Sequence, residues 1–403
     1  MPLQPPQEGR LLPPYRVLDL SGPEAVFCGK LLAGYGADVV KVEPPIGDPS
    51  RSNGPFAGDQ VHPERSLYFL FYNTNKRSVT LDLESARGQA LFKQLIAKDD
   101  VVLESHHVGY LASLGLDYDA LREINPGLAM ASVTPFGHTG PWKDYKSSDL
   151  IALASTGYGG PRRSVAAAGQ RAVPLSRRPI CGHSNSRGPL LPGHGRRRRP
   201  IHRRVVAGGA HHLLHRRAPR PGLDADGAER DPGGHTSTLA IPLGTYPSQD
   251  GWITAGIVTA REWDALAEWV YEVTGNEEVL NKAYKGGSQD RAPHSDIITA
   301  WVIDFTTRFT SEYLFHEGQR RNLVFIPANT VSNLLADPQL EAGNFWFDLD
   351  HVETGSLKYP LGVYDSEEVS QGTNPAPRLG QDNEAIYGEI GLTLASLKTE
   401  GII

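Results

Sequence analysis

Residues 16–45 read RVLDLSGPEAVFCGKLLAGYGADVVKVEPP. The stretch reads as strand, turn, helix, strand. Its first five residues are a short apolar run that ends at Ser21 and Gly22. Pro23 suits a first helical turn, where a missing N–H costs nothing, and Glu24 suits the positive end of the helix dipole. Ala25, Cys28, Leu31 and Leu32 recur at helical spacing and predict one apolar face. Gly34 and Gly36 predict the helix stop. Residues 38–42 predict the next strand, closed by Glu43, Pro44 and Pro45. Such a unit implies a parallel pair with a right-handed crossover, and so an open α/β sheet. Ligands in these sheets sit at the carboxyl ends of the strands. The turn at residues 21–24 lies at that end of the first strand. No GxGxxG is present, so a dinucleotide fingerprint is absent. The plainer alternative is a buried βαβ unit with no ligand.

The same rhythm continues outward. Residues 79–83 alternate like a strand. Ser85 is a cap for a helix with Leu91, Phe92, Leu95 and Ile96 on its apolar face. Residues 101–104 and 128–133 are further strands, separated by a short helix over 116–124 that Asn125, Pro126 and Gly127 stop. This alternation supports a doubly wound sheet. Another helix is expected over residues 149–158. The second half predicts strands at 241–243 and 251–255. A helix over 261–273 turns Trp263, Leu266, Trp269 and Val270 inward. Helices over 296–307, from 311 and over 329–335 follow. A hairpin over 345–349 and 357–360 precedes a terminal helix. No internal repeat is visible.

Between these halves the texture changes. Residues 161–234 contain no Phe, Tyr or Trp. No Asp or Glu lies between Asp149 and Asp224. Fifteen Arg and six His fall between Arg162 and Arg220, with no Lys among them. Three readings compete: a basic arm for nucleic acid, a flexible linker, and translation out of frame from a GC-rich coding sequence. The abrupt edges favour the third, because patterned α/β sequence stops near Gly160 and resumes near Thr236.

The chain as a whole has a formal net charge of -6, which gives no reason to expect a nucleic-acid or membrane partner. Two cysteines, Cys28 and Cys181, make a disulfide framework improbable and fit a reducing cytoplasm. No apolar run reaches the length of a membrane span. The opening MPLQPPQEGRLLPPYR lacks a basic region followed by an apolar core, so a short disordered lead-in is expected rather than a signal peptide.

Taken together, several ordered motifs resemble the class III CoA-transferases of formyl-CoA and carnitine type. They are VLDLSGPEAVFCGKLLAGYGADVVKVEPP, YNTNKRSVTLDLES, DVVLES with SLGLDYDALREINPGL, and SVTPFGHTGPW. The second half adds DGWITAG, IPANTVSNLLADPQL and LGQDNEAIYGEIGL. The resemblance covers almost the whole chain outside residues 161–234. It implies a Rossmann-like open parallel sheet in a large domain built from both chain ends, plus a smaller α+β domain. The expected division is residues 1–160 and 326–403 for the large domain, 235–325 for the small one, and 161–234 as an aberrant segment. The resemblance also implies an interlocked homodimer and transfer of CoA from an acyl-CoA to a small carboxylic acid, with coenzyme A as substrate and no metal. The implied chemistry is covalent: an Asp attacks the thioester and CoA passes through an aspartyl-CoA intermediate.

That Asp belongs after the stretch matching residues 149–160. Here the interval is the Arg-rich segment, and Asp224 and Asp226 come too late. The nucleophile is therefore unknown and impaired activity is expected. The CoA contacts implied by position are Pro23, Glu24, Leu81, Asp82, Ser105, His106, His107, Lys146 and Asp149. The pair His106-His107 departs from the family's Asn-Phe/Tyr-Arg/His-Pro pattern and finds no third ligand in register for a metal. His138 reads as a loop residue rather than an acid–base group. A runner-up, α-methylacyl-CoA racemase, needs a His immediately before the position of Asp149. That place holds Ser148. A non-catalytic protein with a basic nucleic-acid-binding segment is the remaining alternative.

Overall fold

The structure is a computed structural model. It describes residues 10–148, 151, 202–205, 241–361, 372–399 and 401–403, with only the backbone described at 202–205 and Ser396. The helix expected over 149–158 and most of the Arg-rich stretch fall outside the described residues. The chain divides into two compact units, one drawn from Met1–Pro221 with Gly343–Ile403 and the other from Gly222–Ala342.

The first unit is built on a parallel sheet. Its strands are β1 (Arg16–Leu20), β2 (Asp38–Glu43), β3 (Arg77–Thr80), β4 (Val101–Glu104), β5 (Ala129–Thr134) and β6 (His202–Val205), in the order β3-β2-β1-β4-β5-β6. Every neighbouring pair is parallel. β6 lies inside the Arg-rich stretch, whose folding the sequence left open. The order reverses direction between β1 and β4, which makes that gap the topological switch point.

Side chains alternate across the strands, so each face buries its own core. One face joins Leu18, Leu20, Val40, Val42 and Val102 to Leu91, Phe92, Leu95 and Ile96 of the Ala86–Ile96 helix. The other joins Val17, Val39, Leu103 and Val133 to Ala25, Cys28 and Ala33. Ser85 caps the Ala86–Ile96 helix as expected, its Oγ accepting the Gly88 N–H at 2.9 Å.

The first helix, α1, differs from expectation. It runs Val26–Gly34, with Ala25 at the N-cap position and no side-chain cap. Pro23 and Glu24 form the turn before it. The buried positions include Val26, Cys28, Gly29, Lys30 and Ala33, while Leu31 and Leu32 are only half-buried. The reason is a second cover. The next helix, α2 (Leu67–Tyr72), sets Tyr72 edge-on to Phe27 at 6.1 Å and puts Phe71 beneath the Lys30 ammonium at 3.7 Å. A helix covered twice has no single apolar stripe.

The C-terminal segment returns to this sheet. Asn383 Oδ1 accepts the Thr80 N–H at 2.9 Å, and the Tyr387 hydroxyl donates to the Thr80 carbonyl at 2.6 Å. Trp346–His351 and Gly355–Pro360 form the expected antiparallel hairpin.

The second unit holds an antiparallel sheet of Leu243–Pro247, Trp252–Gly256 and Phe325–Pro327. The amphipathic helix Ala260–Thr274 packs Trp263, Leu266, Trp269 and Val270 inward, behind a capping box between Thr259 and Glu262. Arg291 is fully buried there, giving hydrogen bonds to the carbonyls of Ile241 (2.7 Å), Gly286 (2.7 Å) and Ile257 (3.2 Å). Among the described residues no helix is long and apolar enough to cross a membrane.

Candidate functional site

At the switch point the turn after β1 meets the turn after β4. The Gly22 N–H donates to Ser105 Oγ at 2.8 Å. Glu24 lies on the same side, since a Cβ built on Gly22 would stand 3.4 Å from Glu24 Oε2 and 3.6 Å from Ser105 Oγ.

The β1 turn rests on buried charge. Asp19 points down from β1 and accepts both the N–H (2.9 Å) and the hydroxyl (2.5 Å) of Ser21 on Oδ1. Its other oxygen takes Lys76 Nζ at 2.7 Å. Lys76 also reaches Asn73 Oδ1 at 2.9 Å and the Val26 carbonyl at 3.1 Å. From β2, Lys41 donates to the Ser21 carbonyl and pairs with Asp48 at 2.9 Å. Burial alone would raise the Asp19 carboxyl, but the Lys76 and Lys41 ammoniums hold it below the usual range. Asp48 is likewise opposed by burial yet held down to about 2, mainly by Lys41. Lys30, above this layer, is pushed down to about 7 by burial and by the charge of Lys76.

A second buried pair braces the loop after β2. Arg51 forks onto Glu43 through Nε–Oε2 (2.7 Å) and Nη2–Oε1 (2.9 Å), reaches Glu64 at 2.9 Å, and lies 3.7 Å from the Phe69 ring centre. The Arg51–Glu43 pair thus ties the loop after β2 back to the end of that strand.

The β4 turn carries His106 and His107. The His106 N–H donates to Glu104 Oε2 at 2.8 Å, and its ring lies 4.5 Å from that of Tyr110. His107 also meets Tyr110, at 5.4 Å. Burial, with Lys41 and His107 adding charge repulsion, pushes His106 down to about 4. Its ring is neutral at pH 7, and Nε2 has no hydrogen-bond partner among the described residues. The Tyr110 hydroxyl donates to Glu84 at 2.6 Å, joining this turn to the one after β3. There Leu81 is buried and the Asp82 N–H donates to the Ile402 carbonyl at 2.9 Å.

Of the residues picked from the sequence, Pro23, Glu24, Ser105, His106 and His107 thus share one edge, and Leu81 and Asp82 stand on its β3 flank. Lys146 is exposed, in a segment that follows an aromatic group of Phe136, Trp142 and Tyr145. Among the described residues no hydrogen bond or ion pair joins Lys146 to the switch point. Asp149 lies outside the described residues.

The supporting charges Asp19, Lys41, Lys76 and Asp48 were not picked from the sequence. A signal existed. Asp19 and Lys41 interrupt the apolar runs over residues 17–20 and 39–42, which are buried on both faces, where an unpaired charge is costly. Glu104, Ser132 and His138 also went unpicked as a group. Ser132 Oγ lies 2.5 Å from His138 Nε2 and contacts Glu104 Oε1. No group of three or more His, Cys, Asp or Glu able to hold a metal is found among the described residues.

CoA-transferase family III matches residues 12–172 and 205–383. The chain belongs to that family. The family match breaks at residues 173–204, inside the Arg-rich stretch. The chain is 30% identical to the succinyl-CoA–D-citramalate CoA-transferase of Chloroflexus aurantiacus, over 98% of both chains. It is 29% identical to the BbsE subunit of succinyl-CoA:(R)-benzylsuccinate CoA-transferase of Thauera aromatica, over 94% of this chain and 93% of that one. Among solved structures, a CAIB/BAIF family protein from Brucella suis superposes with a TM-score of 0.77 at 25% identity, covering 95% of this chain and all of the other.

Proposed function

We propose that this family III chain is built to hold acyl-CoA in the crevice between the β1 and β4 turns, on a framework made for moving CoA from a thioester to a free carboxylic acid. The observation that carries this reading is the Gly22–Ser105 hydrogen bond, which joins two loops at the topological switch point. The nine-residue helix α1 begins just after this turn, and its positive end suits a phosphate. Pro23, Glu24, Leu81, Asp82, Ser105, His106 and His107 line the crevice in this reading, with Lys146 and Asp149 contributing from the segment after β5.

The transfer runs in balanced steps. An Asp carboxylate attacks the thioester carbonyl and CoA leaves as thiolate, giving a mixed anhydride. The thiolate returns to the aspartyl carbonyl and releases the donor acid. The acceptor carboxylate then repeats the exchange in the other direction. This chain holds no Asp or Glu between residues 149 and 224 to perform the attack. It is therefore a CoA-transferase with a damaged centre, which binds CoA and transfers it slowly or not at all. Dimerisation with a second copy, action in the cytoplasm and independence of metal belong to the same reading. The relatives named above are CoA-transferases, which favours transfer over racemisation and over nucleic-acid binding.

The test pairs two measurements. Calorimetric titration with coenzyme A should show binding, and an exchange assay from succinyl-CoA to D-citramalate or (R)-benzylsuccinate should show little turnover. Full turnover overturns the damaged centre, and no binding overturns the crevice. Resequencing the coding DNA across residues 160–236, read in all three frames, should restore an Asp and aromatic residues in another frame. If no frame does so, the Arg-rich segment is a true part of the protein.

A further inference from the structure

Glu104 ends β4, and Ser132 stands directly across from it on β5. Both side chains are buried, at 4% and 2% exposure. The Glu104 carboxyl is engaged on both oxygens. Oε2 accepts the His106 N–H at 2.8 Å, and Oε1 meets the Ser132 hydroxyl. The same hydroxyl lies 2.5 Å from Nε2 of His138, half-buried in the loop after β5. A carboxyl, a hydroxyl and an imidazole therefore stand in sequence at the ends of two adjacent strands.

A hydroxyl has one proton to donate, so Ser132 cannot donate to both neighbours at once. With Glu104 protonated, Glu104 donates to Ser132 and Ser132 donates to His138. Transfer along this line breaks the O–H bond at Glu104 as one forms at Ser132. The former Ser132 proton passes to His138 Nε2. The products are a carboxylate and an imidazolium, the total charge is unchanged, and no heavy atom needs to move.

We propose that Glu104, Ser132 and His138 form a proton-sharing relay, with Glu104 as the positioning residue that ties it to the turn at residues 105–107. The second half rests on the assignment of that turn to acyl-CoA. Burial raises the Glu104 carboxyl to about 7, so both forms are populated near neutrality. The other charged and titratable groups facing this turn are His106 and His107 on it, Glu24 from the turn after β1, Lys41 from β2, Asp48 from the loop after β2, Glu84 ahead of the Ala86–Ile96 helix, and Tyr110 against both imidazoles. A carboxylate grips the His106 amide more strongly than a neutral acid does, because charge-assisted hydrogen bonds are stronger. The turn is held more firmly once Glu104 ionises, and affinity for CoA rises with pH.

The test uses the full chain and free coenzyme A as probe. Calorimetry from about pH 6 to about pH 8 reads affinity, and nitrogen NMR of the His138 ring reads its protonation. The wild-type affinity should rise about fivefold across that range. E104A should bind about tenfold more weakly than wild type at the upper end. E104Q keeps an acceptor for the His106 amide and should recover most of that loss, without the rise with pH. S132A should shift the His138 titration by the same amount and in the same direction as E104Q. If His138 titrates identically in wild type, S132A and E104Q, there is no relay. If E104A binds CoA as wild type does, Glu104 positions nothing. Should E104A fail to fold, the pH profile of E104Q decides the positioning role. If the wild type binds no CoA at any pH, the CoA assignment falls, while the His138 titration still decides the relay.

Discussion

Lys76 Nζ lies 2.7 Å from Asp19 Oδ2, and both side chains are completely buried beneath the turn after β1. The pair holds that turn from below, since Asp19 also takes the Ser21 N–H and hydroxyl. Removing one partner leaves a charge buried without its counterion. Lys76→Met is expected to lower the unfolding free energy in urea by about 3 to 5 kcal/mol. Asp19 is held below its usual 3.8, so the stability it contributes is present above that value and is lost as pH falls through its folded-state value. An acid titration followed by circular dichroism checks this, with wild type losing more on acidification than Lys76→Met.

Gly29 owes its place to the same pair. A Cβ there would stand 2.4 Å from Asp19 Oδ2 and 2.9 Å from Lys76 Nζ. Neither side chain can retreat, because both are buried and bonded. Gly29→Ala would gain helix propensity on an exposed helix, by up to about 1 kcal/mol. Here it is expected to destabilise by about 2 kcal/mol or more through overpacking. A melt showing Gly29→Ala at or above wild type would contradict this account.

Arg51 and Glu43 are joined by two hydrogen bonds, with Phe69 against the guanidinium. A lysine cannot reproduce a planar fork. Arg51→Lys is expected to cost about 2 kcal/mol, the worth of a charge-assisted bond lost in a buried place. Equal stability in a denaturant titration would show that the fork is dispensable.

Glu104 and Asp99, the latter buried just ahead of β4 with Arg16 Nε 2.9 Å away, are both raised to about 7, from 4.5 and 3.8, by burial first of all, which for Asp99 outweighs the pull of Arg16. A carboxyl raised in the folded state contributes stability that is fully present below its ordinary value and lost as pH rises through the folded value. Stability should therefore decline between about pH 4 and about pH 7 on account of these two groups. Glu104→Gln and Asp99→Asn should each remove part of that decline, by up to about 3 kcal/mol at the alkaline end. Denaturant midpoints across the range, wild type against each variant, provide the check.

Ser105→Ala removes the acceptor of the Gly22 N–H at the switch point. Coenzyme A affinity by calorimetry is expected to fall about fivefold, near the worth of one neutral hydrogen bond, with little change in the melting temperature. An unchanged affinity would separate this bond from the binding crevice.

The alternation of strands and helices was legible from local pattern alone, as was the turn at residues 21–24 that ends the first strand. So was the inward face of the Ala260–Thr274 helix, because hydrophobic period and capping residues are properties of neighbours in the chain. The absence of aromatic residues over 161–234, and of acidic ones between Asp149 and Asp224, is likewise a fact of sequence. Other features needed the tertiary structure. Asp19 finds Lys76 57 residues away, and Gly22 finds Ser105 83 residues away. The order β3-β2-β1-β4 decides both, and strand order is not encoded in any local window. The same holds for Glu104 and Ser132, which meet only because β4 and β5 pair in one register. It holds too for α1, whose apolar stripe vanished because α2 covers its outer side. Local periodicity reports which residues shun water. Long-range packing alone decides which buried charge meets its partner, because a charge inside the sheet is stable only where the fold delivers the opposite one.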